Sequence, residues 1–119
     1  MQTTSITVSG ADGTPVLGYR WEPDSGPVTA VVQIVHGLAE HCARYARFAE
    51  ALTAAGYAAY GHDHRGHGRT AAGDANLGHF ADSDGWSKVV DDVRAVRRQI
   101  DADHPGVPVV LFGHSMGSF

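Results

Sequence analysis

The run Gly113-His114-Ser115-Met116-Gly117 sets a serine between two glycines, directly after the apolar stretch Val109-Val110-Leu111-Phe112. A serine hydroxyl becomes a useful nucleophile only when the backbone presents it and a base activates it. A strand entering a glycine-bounded turn supplies the presentation. A strained conformation at the serine lifts its Oγ out of the sheet, and side chains at 113 and 117 would collide with neighbouring backbone. The chemistry this spacing points to is nucleophilic acyl transfer at Ser115. The bland alternative is an ordinary loop serine, because the bare pattern recurs by chance. The strand before Ser115 and the helix start expected after it favour the nucleophile.

Acyl transfer also needs donors aimed at the developing oxyanion, one of which is the backbone N–H after the nucleophile. Here that residue is Met116. The second donor is expected from the loop after the first parallel strand, where Val35-His36-Gly37-Leu38 leaves an apolar run through a glycine, and Leu38 is the candidate. Taken alone, His36-Gly37 would merely end a strand; the serine turn downstream gives it meaning.

The eight histidines raise a metal alternative. His62-Asp63-His64-Arg65-Gly66-His67 resembles the H-x-H-x-D-H run of metallo-β-lactamase-fold hydrolases, which would make His62, His64 and His67 ligands of a metal-dependent hydrolase. Gly66 stands where that run has aspartate, and further ligands would have to come from elsewhere. The structural alternative has Asp63, Arg65 and His67 hydrogen-bonding among themselves and to backbone, holding a loop beside the site. No cofactor or metal is expected on the leading reading.

The elements that must position these residues follow from periodicity. Alternation in Ile6-Thr7-Val8 and in Val16 to Trp21, around Asp12-Gly13-Thr14-Pro15, predicts an antiparallel hairpin. Ala30 to Val35, apolar and β-branched, predicts a strand buried on both faces. Tyr45, Phe48, Ala49 and Leu52 fall at helical spacing within 44–55, with Gly56 placed to end that helix. Tyr57 to Tyr60 is a second apolar run, so strand, helix and strand imply a parallel crossover and an α/β class. Residues 61–80 read as a loop. Asp82, Ser83 and Asp84 are N-cap candidates for a helix whose stripe is Trp86, Val89, Val90, Val93, Val96 and Ile100. Val109 to Phe112 reads as a buried strand.

Composition narrows the classes. Of 119 residues, 43% are hydrophobic and 18% charged, an ordered globular balance for a single domain. A net charge of −4 without a basic stripe argues against nucleic acid as a partner. Cys42 is the one cysteine, which excludes an intrachain disulfide framework and fits a reducing, cytoplasmic compartment. The N-terminus lacks the basic and long apolar regions of a secretory signal, and no stretch approaches the ~20 apolar residues of a transmembrane helix.

Four ordered blocks carry a family resemblance: His36-Gly37-Leu38-Ala39-Glu40-His41 with Arg44-Tyr45; Asp63-His64-Arg65-Gly66-His67-Gly68-Arg69; Gly78-His79-Phe80; and Gly113-His114-Ser115-Met116-Gly117-Ser118. They resemble the monoacylglycerol lipase and lysophospholipase branch of the α/β-hydrolases, grouped with the serine aminopeptidase-like hydrolases. Cys42 and Thr70 stand where that family would have serine. The resemblance implies a mostly parallel sheet with an N-terminal antiparallel hairpin. It also implies hydrolysis of a small acyl ester through an acyl-enzyme, with Ser115 as nucleophile and the Leu38 and Met116 amides as oxyanion hole.

In α/β-hydrolases the triad acid and histidine follow the serine. Residues 1–119 therefore read as the N-terminal half of one hydrolase domain, truncated after the serine turn, inactive alone and with an uncovered apolar edge at 109–112. A non-catalytic ligand-binding protein of the same fold is the remaining alternative, against which the intact serine turn and oxyanion loop argue.

Overall fold

The computed structural model describes residues 1–10, 12–37, 40–70 and 85–118, the side chain of Arg69 excepted. Its strands are β1 (Gln2–Ser9), β2 (Pro15–Glu22), β3 (Val31–Val35), β4 (Ala58–His62) and β5 (Val109–Gly113). The helices are α1 (Ala46–Ala54) and α2 (Gly85–Asp103). The sheet order is β1-β2-β4-β3-β5. β1 and β2 form the expected antiparallel hairpin, β2 joins β4 antiparallel, and β3 lies parallel to both β4 and β5. This is the α/β-hydrolase sheet with its N-terminal hairpin.

The period of two along each strand divides the core into two layers. Val31, Ala58 and Tyr60 pack with Val96 and Ile100 of α2, while Ile34 and Ala59 pack with Trp21 and Ala49 on the side of α1. Helices thus cover opposite faces, the arrangement a parallel sheet requires. Gln33, buried within β3, donates to the Val93 carbonyl on α2 at 2.9 Å, so its amide nitrogen is partnered inside the core.

Several elements differ in detail from their sequence expectation. The chain enters α1 through a 3-10 turn, Cys42–Tyr45, and no side chain caps either start. Gly56 has a φ of +88° just past the helix, as its predicted terminating role requires. Phe48 and Trp86, expected in buried stripes, are 36% and 46% exposed. Phe48 lies at the rim, its ring 5.0 Å from that of Phe112. β5, expected to be buried, is exposed along most of its length, because it pairs only with β3 among the described strands. Val110 and Leu111 form the apolar edge that the sequence anticipates.

Gly61 and His62 belong to β4, not to the loop that follows. Asp82, Ser83 and Asp84, together with the Gly78-His79-Phe80 block, lie outside the described residues. No described helix is long and apolar enough to cross a membrane.

Candidate active site

The parallel strands β4, β3 and β5 deliver their following loops to one end of the sheet, where open α/β sheets place their sites. Register makes the juxtaposition specific. Val35 at the end of β3 stands opposite Gly113 at the end of β5, so residues 36–37 and 114–115 leave the sheet side by side. The His114 N–H donates to the Val35 carbonyl at 3.1 Å, seating the turn against the end of β3.

Ser115 has a φ of +55°, the positive value among the described non-glycine residues. A left-handed serine is a costly conformation, and such strain concentrates where a side chain must be presented. The flanking glycines make it possible. A Cβ at Gly113 would meet the Gly117 carbonyl oxygen at 2.4 Å, and one at Gly117 would meet the Val35 carbonyl oxygen at 2.2 Å. These contacts confirm the steric role expected of both glycines.

The loop after β3 abuts the serine: a Cβ at Gly37 would lie 3.1 Å from Ser115 Cβ. Leu38, the candidate oxyanion donor, lies outside the described residues. Met116, the other candidate, follows Ser115 in a 3-10 turn, Ser115–Ser118. It borders an apolar groove of about 140 Å³ together with Trp86, Val93 and Leu111.

The loop after β4 forms a buried knot on the other side of β3. His36, His62, His64 and His67 are each 2% exposed or less. His64 donates its backbone N–H to His36 Nε2 at 3.0 Å, and its own Nε2 lies 2.9 Å from the His36 carbonyl oxygen. His36 Nδ1 lies 2.7 Å from the Gly37 carbonyl, and His67 Nδ1 2.9 Å from that of Arg65. Each such nitrogen must carry hydrogen to bond a carbonyl, so the backbone fixes the tautomers.

Burial pushes His36, His62 and His64 below the usual imidazole range, assisted by neighbouring rings, and brings His64 to about 4. The rings of His36, His64 and His67 serve the backbone. Among the described residues the His62 ring makes no hydrogen bond, and no three His, Cys, Asp or Glu side chains are grouped to hold a metal ion. The metal-ligand alternative for His62, His64 and His67 thus finds no ligand set there.

Of the loop's charged residues, Asp63 bonds to backbone as expected, and Arg65 departs from the local network. Asp63 accepts from the Cys42 backbone N–H at 2.7 Å. Arg65 reaches outward: it pairs with the buried Asp92 of α2 (Nη2 to Oδ1, 2.9 Å) and with Asp12 of the hairpin turn. One guanidinium therefore fastens the hairpin, the loop and α2 together.

Sequence reasoning did not assign a role to Glu40. Its Oε1 accepts from the Gly37 N–H at 2.7 Å and lies 2.9 Å from His114 Nδ1, while the Tyr45 hydroxyl donates to Oε2 at 3.1 Å. Burial pushes the Glu40 carboxyl up, but these donors outweigh it and hold the group below its ordinary value. An acid three residues after Gly37 was the visible signal. Its partner at position 114 emerges only from strand register.

A family model described as serine aminopeptidase, S33 matches residues 26–119. The chain is 38% identical over 109 residues to a monoacylglycerol lipase of Mycolicibacterium smegmatis, covering 92% of the chain and 36% of that protein. It is 37% identical over 114 residues to the monoglyceride lipase of Mus musculus, covering 90% and 33%. Among solved structures, a thermostable carboxyl esterase from Bacillus coagulans superposes with a TM-score of 0.88 at 31% identity, covering 99% of the chain and 38% of that structure. The chain spans about a third of the length of these curated relatives.

Proposed function

Because the chain belongs to the serine aminopeptidase S33 family, in the monoacylglycerol lipase-like branch of the α/β-hydrolases, we propose that it supplies the nucleophile and oxyanion half of a serine ester hydrolase. The observation that carries this reading is Ser115, held at a φ of +55° at the end of β5 with the loop after β3 against it. On this reading Ser115 Oγ attacks the ester carbonyl carbon. A histidine base takes the hydroxyl proton and returns it to the departing alcohol, leaving an acyl-enzyme that water hydrolyses.

The backbone N–H groups of Met116 and Leu38 receive the oxyanion of each tetrahedral intermediate. The triad acid and histidine are proposed to lie beyond Phe119, consistent with the third of the relatives' length that residues 1–119 match. Monoacylglycerols and lysophospholipids are the proposed substrates, the first supported by the activity named for the bacterial and mouse relatives. The single cysteine favours a reducing, cytoplasmic setting.

The test is fluorophosphonate labelling and monoacylglycerol hydrolysis by the protein extended beyond Phe119 through the proposed triad acid and histidine, and by its Ser115→Ala variant. Labelling should vanish in the variant, and turnover should fall on the order of a millionfold, as for nucleophile loss in subtilisin. Equal labelling of the two proteins would refute the nucleophile assignment.

A further inference from the structure

Glu40 joins the loop after β3 to the turn that carries Ser115. The ties between Gly37 and Glu40 run in both directions: the Gly37 N–H donates to Glu40 Oε1 at 2.7 Å, and the Glu40 N–H donates to the Gly37 carbonyl at 3.3 Å. The same Oε1 lies 2.9 Å from His114 Nδ1. An ionised carboxylate can only accept, so His114 donates there, and its side chain is thereby held to the loop after β3. Tyr45, the last residue before α1, donates to the other oxygen. Glu40 is 13% exposed at its side chain, which shelters its bonds to Gly37 and Tyr45, while the His114 ring, 59% exposed, meets the carboxylate at the surface.

We propose that Glu40 is the positioning residue of the ester-cleaving site, bridging Gly37 and His114 so that the loop after β3 and the turn carrying Ser115 keep a fixed separation. This rests on Ser115 being the nucleophile. Oxyanion stabilisation depends on donors placed before charge develops, and an error near 1 Å in such a site costs about 100-fold. A carboxylate joining both loops holds that separation without touching substrate. His114, next to the serine in sequence, thereby acquires a role in holding the turn to the loop after β3.

The test compares the same extended protein with its Glu40→Gln, Glu40→Asp, Glu40→Ala and Ser115→Ala variants. It measures kcat and KM for a monoacylglycerol per fluorophosphonate-labelled site, the labelling rate, and the thermal midpoint. Gln retains a carbonyl oxygen at the same reach and should stay within about fivefold of the parent in kcat. Asp keeps the charge but is one methylene short of bridging both donors. It should lose about 10- to 100-fold in kcat and labelling rate, with KM changed less than about threefold.

Ala should lose at least as much as Asp. If Ala does not fold, the contrast between Gln and Asp decides, because a merely structural carboxylate would not lower turnover per labelled site. Parental kcat in the Asp variant, or a loss confined to KM, would overturn the positioning role. Equal labelling of the parent and Ser115→Ala would instead overturn the reading of Ser115 on which it rests.

Discussion

β4 and β5 flank the same strand, run parallel to it, and each end in a glycine- and histidine-bearing loop, yet they sit in opposite environments. Every residue of β4 is buried, and the loop after it is sealed to position 67. β5 is exposed along most of its length, and the turn carrying Ser115 opens outward. The difference lies in neighbours. β4 has β2 on one side, β3 on the other and a helix over each face; β5 pairs only with β3 among the described strands. The sealed loop is tied to the loop after β3 through His36, which bonds both Gly37 and His64, and so stands one strand away from the proposed nucleophile.

The largest effect expected on this contrast comes from Arg65→Met. It would leave Asp92, 1% exposed, without its guanidinium, and would release the hairpin turn at Asp12. Breaking one side of a buried ion pair typically costs about 3–5 kcal/mol. Denaturant unfolding of the full chain should show a loss of that size. A change below about 1 kcal/mol would mean the loop after β4 is not the anchored member of the pair.

The same contrast shows what the sequence discloses. The apolar runs at 30–35, 57–60 and 109–112 are readable as strands because such runs have few other destinations, whereas Gly61 and His62, which complete β4, carry no apolar signal and read as loop. The steric need for Gly113 and Gly117 was readable because it is local to the turn. The uncovered edge of β5 is legible only through the family resemblance, since apolar character by itself does not say whether a second neighbour is present. Phe48 and Trp86 have helical spacing that places them at the edge of a stripe, and periodicity does not distinguish its edge from its centre. The partners of Arg65 lie 53 residues before it and 27 after it in the chain, and the Glu40 to His114 contact spans 74 residues. Such pairings come from strand order, which the sequence leaves open.

A middle-sized effect should appear on acidification. His36, His62 and His64 are held below their ordinary value in the folded chain, His64 to about 4, whereas in the unfolded chain they take up protons as pH falls below about 6.5. The unfolded state then binds more protons, so stability rises with pH. Their contribution is complete above about 6.5 and is lost as pH falls toward 4. Each imidazole contributes a slope of up to about 1.4 kcal/mol per pH unit across that window. The carboxylates held low by donors, Asp12, Glu40 and Asp103, act at still lower pH, because their unfolded values are those of ordinary acids. Stability measured by unfolding from pH 7 to 4.5 should therefore fall before the carboxylates titrate. A flat profile between 6.5 and 5 would show that the buried histidines are not kept neutral by the fold.

The smallest effect isolates one hydroxyl in each region. Thr70 Oγ1 accepts from the Leu17 N–H at 3.0 Å, tying the loop after β4 to the hairpin at a partly buried point. Thr70→Val keeps the shape, removes the acceptor and should cost about 1–2 kcal/mol for the stranded donor. Thr70→Ser, which restores the residue expected in this family, should be close to neutral because the acceptor remains. On the exposed turn, the Ser118 hydroxyl donates to the Ser115 carbonyl at 2.6 Å, but water can replace that bond. Ser118→Ala should stay within about 0.5 kcal/mol. Equal losses for Thr70→Val and Ser118→Ala would place the two loops in comparable surroundings, and the sealed loop could not then serve as the fixed wall behind Ser115.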